Sequence, residues 1–182
     1  MGRRGGIQRR RVVFIGVEGK SDRAFVNFLG RVCDDEGLHL HLDVKPGSGG
    51  DSVSVVEEAG RRLMRHHDRR AIRTRLVLLD SDRLEADRLA GRDARATASK
   101  WRLEVLLMEP KLEGLLVRLH EGHETRAVAA REAEGQLRKM WPGYDKGSLT
   151  AHQLTRRFGL ADLRRAARHD EELEKLIGAL GL

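Results

Sequence analysis

Apolar residues fall along this chain in short blocks, and the spacing between blocks alternates between strand and helix periods. A continuous Val/Phe/Ile run over 12–17 has strand length and no alternation, as expected for a parallel strand covered on both faces. Ser21 and Asp22 can cap a helix over about 22–36, with Gly37 as its stop. Residues 39–44 alternate and predict a second strand. The stretch 45–50 reads as a loop, and Asp51 or Ser52 opens a helix to about Asp68. Leu76 to Leu79 predict a third buried strand ending at Asp80, followed by a polar helix over about 85–98. Residues 102–108 predict a fourth strand, stopped by Pro110. Beyond Lys111 the period is helical over about 111–120, 124–139, 149–157 and 160–180, with a break at 141–147.

Strands alternating with helices predict right-handed βαβ units. The expected fold class is α/β, with a mostly parallel four-stranded sheet flanked by helices and a helical C-terminal extension. The expected organisation is a flexible basic arm over 1–11, an α/β core over 12–110 and the extension over 111–182, packed on the core.

Composition adjusts this picture in few places. A length of 182 residues suits one domain, and 40% hydrophobic residues can build its core. Aromatics are 4%, which argues against base-stacking platforms for single strands. The net charge of +7 suits a polyanionic partner, and it equally suits an arginine-rich soluble protein. The basic helix faces at Arg61, Arg62 and Arg65, at Arg156 and Arg157 and at Arg164 and Arg165 can contact nucleic acid non-specifically, and acids such as Glu57 and Glu58 lie within a turn of Arg61 and Arg62. Solvated, ion-paired faces are the simplest reading of such runs. Cys33 is the one cysteine, set among apolar residues, so an intrachain disulfide is excluded and a core role is expected. No apolar run approaches a membrane span, and the basic start lacks a signal peptide's apolar core. The expected location is cytoplasmic, without membrane contact.

The chemistry-bearing residues gather at strand ends. In an open parallel sheet, ligands bind at the carboxyl ends of strands. The first predicted strand runs into Glu18-Gly19-Lys20-Ser21-Asp22, and the third into Asp80-Ser81-Asp82-Arg83. If the backbone stays extended, Asp80 and Asp82 point the same way and can reach one cation. Carboxylates with water and substrate phosphate are the usual Mg²⁺ set, and such an ion stabilises charge in phosphodiester cleavage. Glu18 can be a further ligand, directly or through water, or a general acid or base. Gly19 leaves room where substrate must approach.

Other residues carry two readings each. Lys20 can touch phosphate or be solvated. Arg83 can hold a phosphate oxygen, or pair with Glu85 or Asp87. Gly47, Gly49 and Gly50 can cradle phosphate with backbone N–H groups or form a plain loop. Asp22 and Asp51 read first as caps. Tyr144 and Lys146 follow a turn and can reach substrate, with packing the simpler role for the ring. His66 and His67 diverge on a helix, and His120 and His123 read as surface residues rather than zinc ligands.

The pairing of Glu18-Gly19 with Asp80-x-Asp82 resembles the Toprim superfamily of topoisomerase, primase and nuclease domains. The likeness covers about 11–110. Within it, the opening Val17 to Asp22, the Gly47 to Asp51 loop, the Pro110-Lys111-Leu112-Glu113 segment and the Pro142-to-Lys146 element are similar to the compact RloB-like group, and more broadly to OLD-type nucleases. The resemblance implies a Toprim-like, Rossmannoid fold and a Mg²⁺- or Mn²⁺-dependent nuclease. It implies Glu18, Asp80 and Asp82 as the acidic set, with Glu113 as an added acid. Lys20 is then expected in catalysis, and Gly19, Arg83, Gly49 and Lys111 against substrate. It also implies nucleic acid as partner, DNA ahead of RNA, a role in bacterial antiviral defence and an ATPase partner, with a second copy of the chain as a further candidate. The alternatives are an RNA-processing Toprim ribonuclease, a non-catalytic metal- or nucleic-acid-binding subunit of an ATPase complex, and a receiver-like or phosphatase domain using Asp80 as nucleophile. The departures are Lys111 after Pro110 and the missing aromatics around Glu113.

Overall fold

The structure is a computed structural model that describes residues 10–47 and 50–182. Four strands carry it: β1 (Arg11–Val17), β2 (Leu40–Pro46), β3 (Thr74–Asp80) and β4 (Glu104–Met108). They form one sheet in the order β2-β1-β3-β4, and every neighbouring pair is parallel. Three helices make the crossovers' main packing: α1 (Lys20–Asp35), α2 (Ser52–Arg65) and α4 (Ala94–Trp101). The short α3 (Ser81–Leu89) leads into α4.

The alternation of strand side chains builds two cores. Val13, Ile15, Val17, Leu76, Leu78, Leu106 and Met108 enter the larger one, where α1 lies. Phe14, Val77 and Leu79 enter the smaller one, with Val55, Val56 and Ala59 of α2 and Ala94 and Ala98 of α4. At Gly16 a side-chain carbon would stand 2.6 Å from the Ala59 Cβ, so glycine there sets how closely α2 approaches the sheet.

The path from β1 to β2 runs one way across the sheet, with α1 on one face. The paths β2 to β3 and β3 to β4 run the other way, with α2 and α4 on the opposite face. Direction and face reverse together, as one crossover handedness requires. The reversal falls between β1 and β3, the switch point at which a crevice opens beyond the carboxyl ends of the strands.

The C-terminal region is helical: α5 (Leu112–Arg118), α6 (Ala133–Met140), α7 (Ala151–Thr155), α8 (Leu160–Ala167) and α9 (Glu171–Leu180), with a 3-10 turn at Lys146–Ser148. Its apolar residues join the larger core, including Leu154, Leu163, Leu173 and Ile177. At the edge strand β4, the Leu107 N–H donates to the Glu172 carboxylate of α9 (2.9 Å), so one outward donor of that edge is satisfied.

Several boundaries differ from the sequence pattern. The first strand begins at Arg11, inside the expected arm, and the Arg11 guanidinium donates to the carbonyls of Ala179 and Leu180 (both 3.2 Å) at the end of α9. The rest of that arm, residues 1–9, lies outside the described residues. The single helix expected over 85–98 is two, parted at Gly91 (φ 77°), with Asp93 capping the second through the Ala96 N–H (2.8 Å). The helix expected over 160–180 is also two, because Asp170 stops one run and caps the next by accepting from Leu173 N–H (3.0 Å). The helix expected over 124–139 begins only at Ala133.

Candidate active site

Glu18 follows the last residue of β1, and Asp80 is the last residue of β3. Because β1 and β3 are hydrogen-bonded neighbours, the two acids leave adjacent strands at the switch point. Both line a cavity of about 300 Å³ together with Gly19, Lys20, Asp22 and Lys146.

The expected extended geometry through Asp82 does not hold. Helix α3 starts at Ser81, so Asp80 is the residue that caps the helix and Asp82 lies in its first turn, exposed. The chain turns there because the Asp82 N–H donates to the Pro110 carbonyl (3.1 Å), and the Ser81 hydroxyl reaches the same oxygen (3.3 Å). Asp82 in turn accepts from the Arg83 N–H (2.8 Å). It remains close enough for its charge to act on Glu18 and Asp80.

Arg83 pairs with neither Glu85 nor Asp87. Its guanidinium spans to Glu18 Oε1 (2.9 Å), while Glu85 holds Arg88 and Asp87 holds Arg92. The other Glu18 oxygen, Oε2, is buried without a hydrogen-bond partner. Asp80 Oδ1 accepts from the Leu112 N–H (3.3 Å) at the start of α5, just after Lys111. Lys20, the first residue of α1, is exposed at the cavity wall. Gly49 lies outside the described residues. Gly47 donates its N–H to the Val17 carbonyl (2.7 Å), which holds Gly47 beside the Glu18 backbone.

Asp22 was legible only as a cap, and it does accept from the Gly19 N–H (2.8 Å). It is also 6% exposed and part of the cavity. The signal was its place one helical turn before the buried Phe25 and Val26, on the inward face of α1. Lys146 was weighed as a residue that can reach substrate, and the structure places it in this cavity. Its ammonium lies 3.1 Å from Glu113 Oε1. Glu113 is fully buried, accepts from the Tyr144 hydroxyl (3.0 Å), and keeps Oε2 without a partner.

The electrostatics follow from crowding acids in a partly dry cleft. Burial, with Asp22 and Glu18 as like charges beside it, pushes the Asp80 carboxyl up to about 8 against the pull of Lys146. Burial also raises Glu18, with Arg83 opposing, and raises Asp22, with the Gly19 hydrogen bond opposing. Lys146 is raised: burial works against its charge, but Glu113, Asp80 and Asp22 outweigh burial. The Tyr144 hydroxyl is raised by burial and by the Glu113 carboxylate that it faces.

Among the described residues, no group of three or more His, Cys, Asp or Glu side chains is placed so that it could hold a metal ion. Cationic side chains occupy two of the carboxylates instead, Arg83 on Glu18 and Lys146 on Glu113. The donor chemistry fits a hard cation all the same: carboxylate oxygens dominate the cavity, one on Glu18 is unpartnered, and three acids hold raised pKa values that a divalent ion would relieve.

Compared with protein-family models, with curated proteins and with solved structures, the chain matches none.

Proposed function

We propose that this chain is a Mg²⁺- or Mn²⁺-dependent nuclease that hydrolyses phosphodiester bonds in nucleic acid, DNA ahead of RNA. One observation carries the reading: Glu18 and Asp80 leave adjacent parallel strands at the sheet's switch point and share one cavity with Asp22 and Lys146. The Glu18-Gly19 and Asp80-x-Asp82 pattern, which resembles Toprim domains, supports it. The same resemblance brings an ATPase partner and a role in antiviral defence into the proposal.

Glu18, Asp80 and Asp82 would hold the cation, with Glu113 behind them. When bound, such an ion polarises a phosphate oxygen and makes water a better nucleophile at neutral pH. The chain's own groups do the rest. Lys146 supplies a positive charge where phosphate enters, and Glu113, which accepts from the Tyr144 hydroxyl, holds that ammonium in place. Arg83 releases Glu18 and takes a phosphate oxygen, for which its forked donors are suited. Gly19 keeps bulk away from the approach, and Lys20 adds charge at the wall.

The test is cleavage of supercoiled plasmid and of structured RNA by the purified chain in Mg²⁺ or Mn²⁺. Nicking should vanish with EDTA and in Asp80→Ala and Glu18→Ala, whose circular dichroism should remain that of the wild type. Intact DNA and RNA with the wild-type chain would overturn the reading.

A further inference from the structure

The edge of the sheet opposite the acids carries a second charged feature. There α2 ends at Arg65, β3 begins at Thr74, α4 ends at Trp101 and β4 begins at Glu104. Two grooves of about 530 and 360 Å³ adjoin at this edge, sharing Met64, Arg69 and Arg70. Six cations line them: Arg65, Arg69, Arg70, Arg75, Lys100 and Arg102. The one carboxylate in either lining is Asp68, which lies 2.9 Å from the His67 imidazole.

Among the described residues, none of the six cations is in an ion pair. One turn earlier on α2, Arg61 and Arg62 pair with Glu57 and Glu58. The chain can therefore neutralise arginines on a helix and leaves this face uncompensated. The face is also built rather than loose. Arg69 donates to the Met64 carbonyl (2.7 Å), and Arg75 donates to the carbonyls of Ile72 and Arg69 (both 2.9 Å), which clamps the turn between α2 and β3. Trp101 lies against Gly60 and forms part of the groove wall, half-buried.

We propose that this face binds the phosphate backbone of nucleic acid at a place separate from the acid cavity. Clustered, unpaired arginines with free donors match repeated phosphates, each of which a guanidinium can hold with two hydrogen bonds. A protein partner would need a matching run of acids to meet six like charges, whereas a phosphate backbone presents such a run at every sequence. β3 joins the two edges, and its seven residues span roughly 23 Å. The segment held here is thus a different one from any that meets Glu18 and Asp80. Such a contact keeps a long polymer at high local concentration near the cavity.

The inference does not need cleavage, so it is tested with EDTA present. Fluorescence anisotropy follows a short labelled DNA duplex of mixed sequence across a series of salt concentrations. Three proteins are compared: the wild type, the patch variant R65E/R70E/K100E, and a control of equal charge change, R156E/R164E/R168E. All six positions are exposed, and Arg69 and Arg75 stay in place to keep the turn. The wild type should weaken steeply with salt, the patch variant should lose about tenfold or more, and its salt slope should flatten by about three charges. The control should stay within about threefold of wild type. Equal losses in both variants, or wild-type binding by the patch variant, overturn the proposal. So does displacement of the duplex by polyglutamate at matched charge concentration, which would assign the face to an acidic protein. A loss confined to the patch variant without any nuclease activity would leave this proposal standing and remove the other.

Discussion

At the scale of single residues, Asp80 concentrates the cost of the cavity. Its carboxyl sits at about 8 in the fold, against about 3.9 in an unfolded chain. Between those values the folded protein keeps a proton that the unfolded chain gives up. Stability of the metal-free protein must therefore fall as pH rises from about 4 to about 8. Glu18 and Asp22 are raised as well and act with the same sign. Asp80→Asn should melt above wild type in EDTA at pH 8, by about 2–4 °C for each kcal/mol recovered, and the gap should close towards pH 4. Calorimetry at pH 4, 6 and 8 reads this directly, and parallel curves for the two proteins would contradict it. Lys146 carries the complementary prediction. Lys146→Met should lower cleavage by about 100-fold, as expected when one fixed donor to developing charge is lost, and single-turnover rates at saturating Mn²⁺ measure it. Tyr144→Phe should cost about 1 kcal/mol of stability, since it removes one hydrogen bond from the buried Glu113.

At the scale of elements, the strands were legible and the helix ends were not. Continuous apolar runs over β1 and β3 identify strands because both faces of a parallel sheet are covered. The same runs placed Glu18 and Asp80 at strand ends, so two of the three acids of the cavity were readable from the chain. Asp82 was misplaced because nothing before Pro110 announces that the Pro110 carbonyl will pull its N–H into a turn. Asp22 was read only as a cap because one acid can both cap and face inward, and periodicity does not separate the two. Asp170 shows the same ambiguity inside a helical pattern. It caps α9, and its other oxygen holds Arg118 (2.7 Å), with both side chains 10% exposed. Asp170→Ala should cost about 3 kcal/mol or more in urea unfolding, because it removes a cap and strands a buried guanidinium. Adding Arg118→Met should recover part of that loss, since the uncompensated charge is then gone; no recovery would mean that the cap alone matters.

At the scale of the molecule, the fold keeps its two charged features apart. The acids lie at the carboxyl ends of the strands, and six cations without an ion pair among the described residues lie at the amino ends. Arg11 and the last turn of α9 tie the first strand to the final helix, so the C-terminal helices are part of the same core. This matters for the cavity, because Lys146 and Tyr144 come from that region while Glu18 and Asp80 come from the sheet.

In the proposed function, Glu18 at the end of β1 and Asp80 at the end of β3 share one divalent ion. Isothermal titration of Mn²⁺ into wild type, Glu18→Gln and Asp80→Asn tests it without substrate. One site should appear in the wild type, and each substitution should weaken it by about tenfold or more, the scale expected when one of a few carboxylate ligands is lost. Equal Mn²⁺ affinity in all three proteins, or no binding in the wild type, would rule out a shared ion.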